Sequence, residues 1–458
     1  MKKRLFILTI IIVCIFSALF IPTKYKSDIK VKYQHEEYDK SKIENTRFEN
    51  GELVTHLPIF IIHSDIDNIP GNSRRDSRRL QCKYSVIDNA KNINKSSDNP
   101  TENGNMYISV RGRSSRYYKK KQYLVTTLND SFKDKDVALA RNLPPDSKWI
   151  INGSFIDYSM IRNYMLFTIS GEIMNYAPRT KLCEVISVTP DGKKEYQGVY
   201  TIIEKIKVSK DRVDITPYNK NFKESSYILQ LNLNLDNIEV EHLASEGIYT
   251  TNYDIEYPNV NELTEQTEKY IRTDIVKIEK ALNDALYTQN WNEVEELIDL
   301  NSFADYFIIN EFFQNYDATS LSTYLYKDIG GKLCIGPVWD FDGSFNNFEG
   351  KNIPYNTFSL NENFFYFYLS KDPEFIKLVQ NKYSNLRKDI LSDTSLLKFI
   401  DECDIYLKYP AQRNTERWYK NDINLYNNDI IKMKKFVVNR GKWMDEHIDD
   451  LDIVRMIK

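Results

Sequence analysis

NYDATSLSTYLYKDIGGKLCIGPVWDFDGSFNN, residues 315–347, sets acidic side chains among residues fit for a core. Asp340 and Asp342 flank Phe341 and follow Ile335, Val338 and Trp339, so two carboxylates alternate along a strand-like segment. Burying such groups is costly unless something positive lies beside them. Asp317 stands upstream, after an apolar helical run from Phe303 to Phe313. The segments Thr323–Tyr326 and Leu333–Ile335, with a turn at Gly330-Gly331, read as a hairpin that returns the chain towards it. Three carboxylates then gather at one point, an oxygen-only set that suits Mg²⁺ or Mn²⁺.

Outward from this stretch, the second half is mainly helical. Apolar spacing predicts helices over 262–286, 291–298, 303–313, 364–369, 373–390, 395–407 and 430–451. The first half reads as strands at 57–62, 82–87, 181–188 and 197–206, with one helix over 157–175 capped by Asp157. Arg162 on that helix either meets an acidic-site carboxylate or faces solvent. The expected class is α+β: a β-rich lobe over 55–206, then a mainly helical lobe over 207–458 with a partly β insertion at 207–258.

Between Met106 and Thr127 the pattern is strand, polar loop, strand. Six basic residues (Arg111, Arg113, Arg116, Lys119, Lys120 and Lys121) fall among Gly112, Ser114 and Ser115. Such a loop is either a solvated basic edge or an anion cradle built on free backbone N–H groups.

Composition narrows the function classes. The formal net charge of −3 gives no field that would draw nucleic acid. The five His residues lie outside the acidic stretch 315–347 and the basic stretch 106–127, which disfavours zinc hydrolysis and Ser-His-Asp chemistry. The five cysteines have no paired spacing and read as small buried hydrophobes, with disulfides among the last four left open. Lys2, Lys3 and Arg4 precede an apolar run from Leu5 to Ile21, so 1–22 reads as a signal peptide or a membrane anchor that places the body outside the cytoplasm. Residues 23–54 are polar enough for a tether.

RGRSSRYYKKKQY (111–123), DYSMIRN (157–163), GVYTIIEKI (198–206), EYPNVNELT (256–264), NYDATSLSTYLYKD (315–328) and GPVWDFDGSF (336–345) together resemble the CotH kinase family, atypical protein kinases of the spore-coat protein H type. The resemblance implies a kinase-like two-lobed fold that uses ATP and Mg²⁺ or Mn²⁺ to phosphorylate Ser or Thr of a protein, at a spore coat or cell surface. It implies Asp317 as the catalytic aspartate and Asp340 as the metal-binding one, with Asp342 as a second ligand or a structural acceptor. Ser322 stands where the family typically has Asn, the position that helps hold metal. Arg113 likewise replaces a usual Asn. Arg111, Ser114, Ser115 and Arg116 would cover the nucleotide phosphates. Lys120 or Lys121 would supply an ammonium, with strand alternation favouring Lys121, and Glu204 would fix the hinge or meet the base. The competing readings are an inactive structural coat protein and a metal-dependent hydrolase.

Overall fold

The computed structural model describes residues 33–453 apart from 41–42, 44–45, 74–75, 90–92, 232–251, 320, 349–353 and 361–362. The chain divides into two compact units, Met1–Glu37 and Tyr38–Lys458. In the first, the described residues form a turn in which the Glu36 N–H donates to the Tyr33 carbonyl at 2.9 Å. The apolar run at 5–21 lies outside the described residues. Among those described, no helix is long and apolar enough to cross a membrane.

In the second unit the strands β1 (Arg47–Glu49), β2 (Glu52–Thr55), β3 (Ile59–His63), β4 (Leu80–Ile87), β5 (Asn94–Lys95), β6 (Glu102–Arg111), β7 (Gln122–Leu128) and β8 (Lys148–Asn152) come first. Helix α1 (Arg162–Ile173) and strands β9 (Thr180–Val188) and β10 (Lys194–Glu204) complete that half. There follow β11 (Tyr227–Leu231), β12 (Tyr253–Tyr257), α2 (Glu265–Thr288), α3 (Asn292–Leu297) and α4 (Leu300–Phe312). The chain continues through β13 (Tyr324–Lys327), β14 (Cys334–Ile335), α5 (Phe364–Leu369), α6 (Pro373–Arg387), α7 (Asp393–Trp418) and α8 (Ile423–His447). The class is α+β.

Seven strands close a barrel in the order β10-β8-β7-β6-β4-β3-β9, with β3 and β9 the parallel pair. Its interior is packed with β-branched and aromatic side chains, among them Phe60, Ile62, Ile108, Val125, Trp149 and Ile202. Residues 47–54, which composition assigns to a tether, instead lie in β1 and β2, and β2 pairs with β5. The reason is local: Leu53 is fully buried and Phe48 lies against Tyr196, so two apolar side chains suffice to hold the segment. The hairpin predicted from 323–335 is present, with Leu325 opposite Ile335 and Tyr326 opposite Cys334. It extends a second sheet, β12-β11-β13-β14. The predicted helix at 395–407 runs on to Trp418 through Pro410. Cys82, Cys183, Cys334 and Cys403 are free thiols.

Helix α7 is stapled to the barrel. Arg413 forms a two-pronged ion pair with Glu184 of β9, both contacts at 2.8 Å. Asn414 accepts from the Val199 N–H at 3.1 Å, and the Trp418 indole donates to the Gln197 carbonyl at 2.8 Å. Gly198, at φ +104°, sits at a bulge in β10 where a Cβ would come within 2.5 Å of Asn414 Oδ1. A second staple is the Glu311–Arg440 pair between α4 and α8, both residues fully buried. Glu311 also accepts from the N–H groups of Ser359 and Leu360 at 2.9 and 2.8 Å, and Arg440 donates to the Thr357 carbonyl at 2.7 Å. The pair thereby holds the chain segment that follows the acidic stretch.

Removing one member of such a pair strands a buried charge, which costs about 3–5 kcal/mol. Arg440→Met is expected to lower unfolding stability by that amount in urea titrations, and Glu311→Gln added to it should restore part of the loss.

Candidate functional site

Two stretches that carry the predicted residues are bound to one another. The Phe345 N–H donates to the Phe313 carbonyl at 2.9 Å, and the Asn315 amide reaches the Trp339 carbonyl at 3.4 Å. These contacts bring the short 3₁₀ turn Tyr316–Thr319, which carries Asp317, alongside Asp340 and Asp342. All three aspartates and Ser322 line a single cleft of about 510 Å³. Arg111, Ser114 and Ser115 line it from the barrel side, together with Gln122, Leu124 and Ile150.

Helix α1 sets the geometry of the acidic loop. The helix begins at Arg162 rather than at the predicted Asp157, because the intervening chain turns sharply at Met160, φ +62°. Arg162 is fully enclosed: it pairs with Asp157 and with Asp429 of α8, and its Nε donates to the Ser344 carbonyl at 3.0 Å. It therefore neither faces solvent nor bonds an acidic-site carboxylate. Next along the helix, Asn163 accepts from the Phe341 N–H at 3.0 Å and donates to Asp342 Oδ1.

Asp342 is buried and Asp340 half-buried. Burial raises the pKa of both carboxyls; for Asp342 the neighbouring Asp340 and Asp157 charges add to the effect, whereas Arg111 opposes it for Asp340. Among the described residues, Asp340 has no hydrogen-bonding or ionic partner for its carboxylate, and Asp342 Oδ2 has none. Oxygen donors left open to a cleft in this way fit a hard divalent cation, which would also offset their mutual repulsion.

Four predicted nucleotide contacts lie elsewhere. The Arg116 guanidinium is taken by the carbonyls of Gly112 and Gly71, the latter at 3.0 Å, and so braces the loop from behind. Lys121 donates to the Arg116 carbonyl at 2.7 Å. Lys120 is buried, donating to the Val199 carbonyl and to Asn414 Oδ1, the latter at 2.9 Å. Strand alternation does not apply to these lysines, since β7 starts after them at Gln122. Glu204 is fully buried; it pairs with Arg179 at 3.0 Å and accepts from the Tyr176 hydroxyl at 3.1 Å.

The ammonium on the cleft wall is instead Lys205, the one lysine there among the described residues. Burial lowers its pKa, opposed by Glu256, which also lines the cleft, and its hydrogen bond to the Ile206 carbonyl is long at 3.5 Å. Alternation does not single it out, since β10 ends at Glu204 and Lys205 follows directly after it, two residues beyond Ile203, the partner of the cleft-lining Ile150. Glu256, Asp254, Trp339 and Tyr324 also line the cleft. Arg111 lies over the Trp339 ring at 5.6 Å and so ties the basic loop to the acidic one.

The family model for CotH kinase protein matches residues 108–444. The chain belongs to the CotH kinase family. The match takes in every element that lines the cleft, from the end of β6 to the acidic loop. None of the curated proteins compared with the chain matches it.

Lys120 provides a check on the burial read here. Desolvation depresses its pKa to about 7 in the fold, against 10.5 for an exposed lysine. Between those values the unfolded chain binds a proton that the native state does not, so stability rises with pH across that window. Lys120→Met lacks this dependence. The stability of wild type relative to that variant, measured by denaturant unfolding, is expected to increase steadily from pH 7 to pH 9; a flat difference would contradict the assigned burial.

Proposed function

We propose that this CotH family member is an ATP- and Mg²⁺- or Mn²⁺-dependent kinase that phosphorylates Ser or Thr of a protein, at a spore coat or cell surface. The observation that carries the reading is the shared cleft: uncovered carboxylates on one side, Arg111, Lys205 and the Gly112–Ser115 loop on the other. Phosphoryl transfer needs little covalent chemistry from the protein and depends on positioning and on neutralising phosphate charge. Opposed cationic and acidic walls supply both. We further propose a kinase-like two-lobed arrangement, with the barrel covering the nucleotide, and an N-terminal segment that anchors the body outside the cytoplasm or is cleaved on secretion.

In this scheme Asp317 accepts the proton of the acceptor hydroxyl as its oxygen attacks the γ-phosphorus and the bond to the bridging oxygen breaks, releasing ADP. Asp340 and Asp342, with Ser322, would hold the divalent ion, which screens the phosphate charge. Arg111 and Lys205 bind phosphate oxygens, and the N–H groups of the 112–115 loop add donors. Apolar cleft residues such as Leu124, Ile150, Ile206 and Leu231 offer a surface for the base.

A structural coat protein that no longer transfers phosphate is the second reading, and Ser322 is the residue that favours it. A hydroxyl is a weaker metal ligand than an amide oxygen. The hydrolase reading is weaker, because the cationic wall serves an extended polyphosphate better than a single scissile bond.

Incubating the purified protein with γ-labelled ATP, Mn²⁺ and a generic acceptor protein is expected to label the acceptor or the chain itself. Asp340→Ala should abolish both transfer and metal dependence. Lys205→Met should weaken ATP binding by about tenfold or more, since a hydrogen bond to a charged group is worth about 1.5–3 kcal/mol, while Lys121→Met should leave it unchanged. Ser322→Asn should raise the transfer rate. Absence of any transfer, with no thermal shift by ATP and Mn²⁺, would leave the structural reading.

A further inference from the structure

We propose that Asn163, assisted by Ser154, is a positioning residue that holds one oxygen of Asp342 and thereby presents the other to a divalent ion. The inference rests on the reading of the cleft given above, and it assigns to the start of α1 a role in metal binding.

The Asn163 amide oxygen accepts one hydrogen bond and its nitrogen donates to Asp342 and, at 3.5 Å, to the Ser154 hydroxyl, and the chemistry dictates which atom is which. Its oxygen faces the Phe341 N–H at 3.0 Å, so its nitrogen must face Asp342 Oδ1. One amide therefore fixes both the backbone and the carboxylate of the acidic loop. The Ser154 hydroxyl lies 3.2 Å from the same Oδ1 and 2.7 Å from Asn152 Oδ1 at the end of β8. Its single hydrogen is shared between these two oxygens, which makes it the lesser of the two contacts. No donor reaches Asp342 Oδ2 among the described residues, while Oδ1 has two. The two oxygens are thus differentiated, and rotation of the carboxylate would break contacts at Oδ1.

Asn163 is itself held in a buried network. Arg162, its neighbour, is fixed by Asp157 and Asp429 and grips the Ser344 carbonyl beyond the acidic pair. Outer contacts of this type commonly change metal affinity by 10–100-fold when removed.

The test titrates Mn²⁺ into the full chain and follows loss of the free-ion electron paramagnetic resonance signal, with a non-transferable ATP analogue present. Thermal unfolding of the metal-free proteins and analogue binding without metal are measured in parallel. Asn163→Ala is expected to weaken Mn²⁺ binding by about 10-fold or more, and Ser154→Gly severalfold, with analogue binding in the absence of metal unchanged. Ser154 lies at φ +40°, so glycine there removes the hydroxyl without backbone penalty. If Asn163→Ala does not fold, Ser154→Gly decides. Mn²⁺ affinity equal to wild type in the folded variant overturns the proposal alone. Wild type that binds no Mn²⁺ overturns the reading of the cleft, and this proposal with it.

Discussion

Two carboxylates separated by a single buried phenylalanine impose the constraint around which the rest of this structure is arranged. Asp340 and Asp342 repel one another in surroundings that already disfavour charge. The loop that carries them is consequently held by groups that leave their outward oxygens alone. Asn163 takes the Phe341 N–H and one Asp342 oxygen, Arg162 takes the Ser344 carbonyl, and Phe313 takes the Phe345 N–H. The contacts come from two distant parts of the chain, the start of α1 and the end of α4. The loop is thereby defined by tertiary structure and not by its own local preference.

Comparison with the other buried charges separates structural from chemical groups. Glu184 with Arg413, Glu311 with Arg440, Glu204 with Arg179, and Arg162 with Asp157 and Asp429 are each matched by an opposite charge and by further hydrogen bonds. Buried ions persist where they are matched in this way. Asp340, the outer oxygen of Asp342 and the Lys205 ammonium depart from that pattern, and all three face one cleft. Three incompletely satisfied charged groups converging on one cavity are a stronger pointer to ligand chemistry than a charged residue taken singly.

The same distinction explains what the sequence could and could not disclose. The acidic cluster, the hairpin of 323–335 and the succession from strands to helices were legible because alternation and helical spacing are local. The basic loop was legible as a feature but not in detail. Arg116, Lys120 and Lys121 are chemically equivalent to phosphate ligands, and only the fold shows Arg116 and Lys120 turned onto backbone carbonyls at Gly71 and Val199. Glu204 and Lys205 are adjacent at the end of β10, yet one meets Arg179 and the other lines the cleft, a divergence that no local pattern in the sequence marks. β1 and β2 escaped for a different reason, since Phe48 and Leu53 are too few to outweigh a polar background in composition.

Backbone conformation bears on the choice between an active and a vestigial site. Ser322 and Asp340 both line the cleft, and both adopt left-handed conformations, φ +52° and +61°. Asp visits that region more readily than most side chains, whereas Ser is less at ease there. The strain at Ser322 is held in place from both sides: the Leu321 N–H donates to the Asp317 carbonyl at 2.8 Å, and the Thr323 hydroxyl reaches the Ala318 and Leu321 carbonyls, both at 3.1 Å. Strain that the surroundings over-determine is characteristic of sites where side-chain direction matters. Ser322 is thereby fixed among the residues that line the cleft.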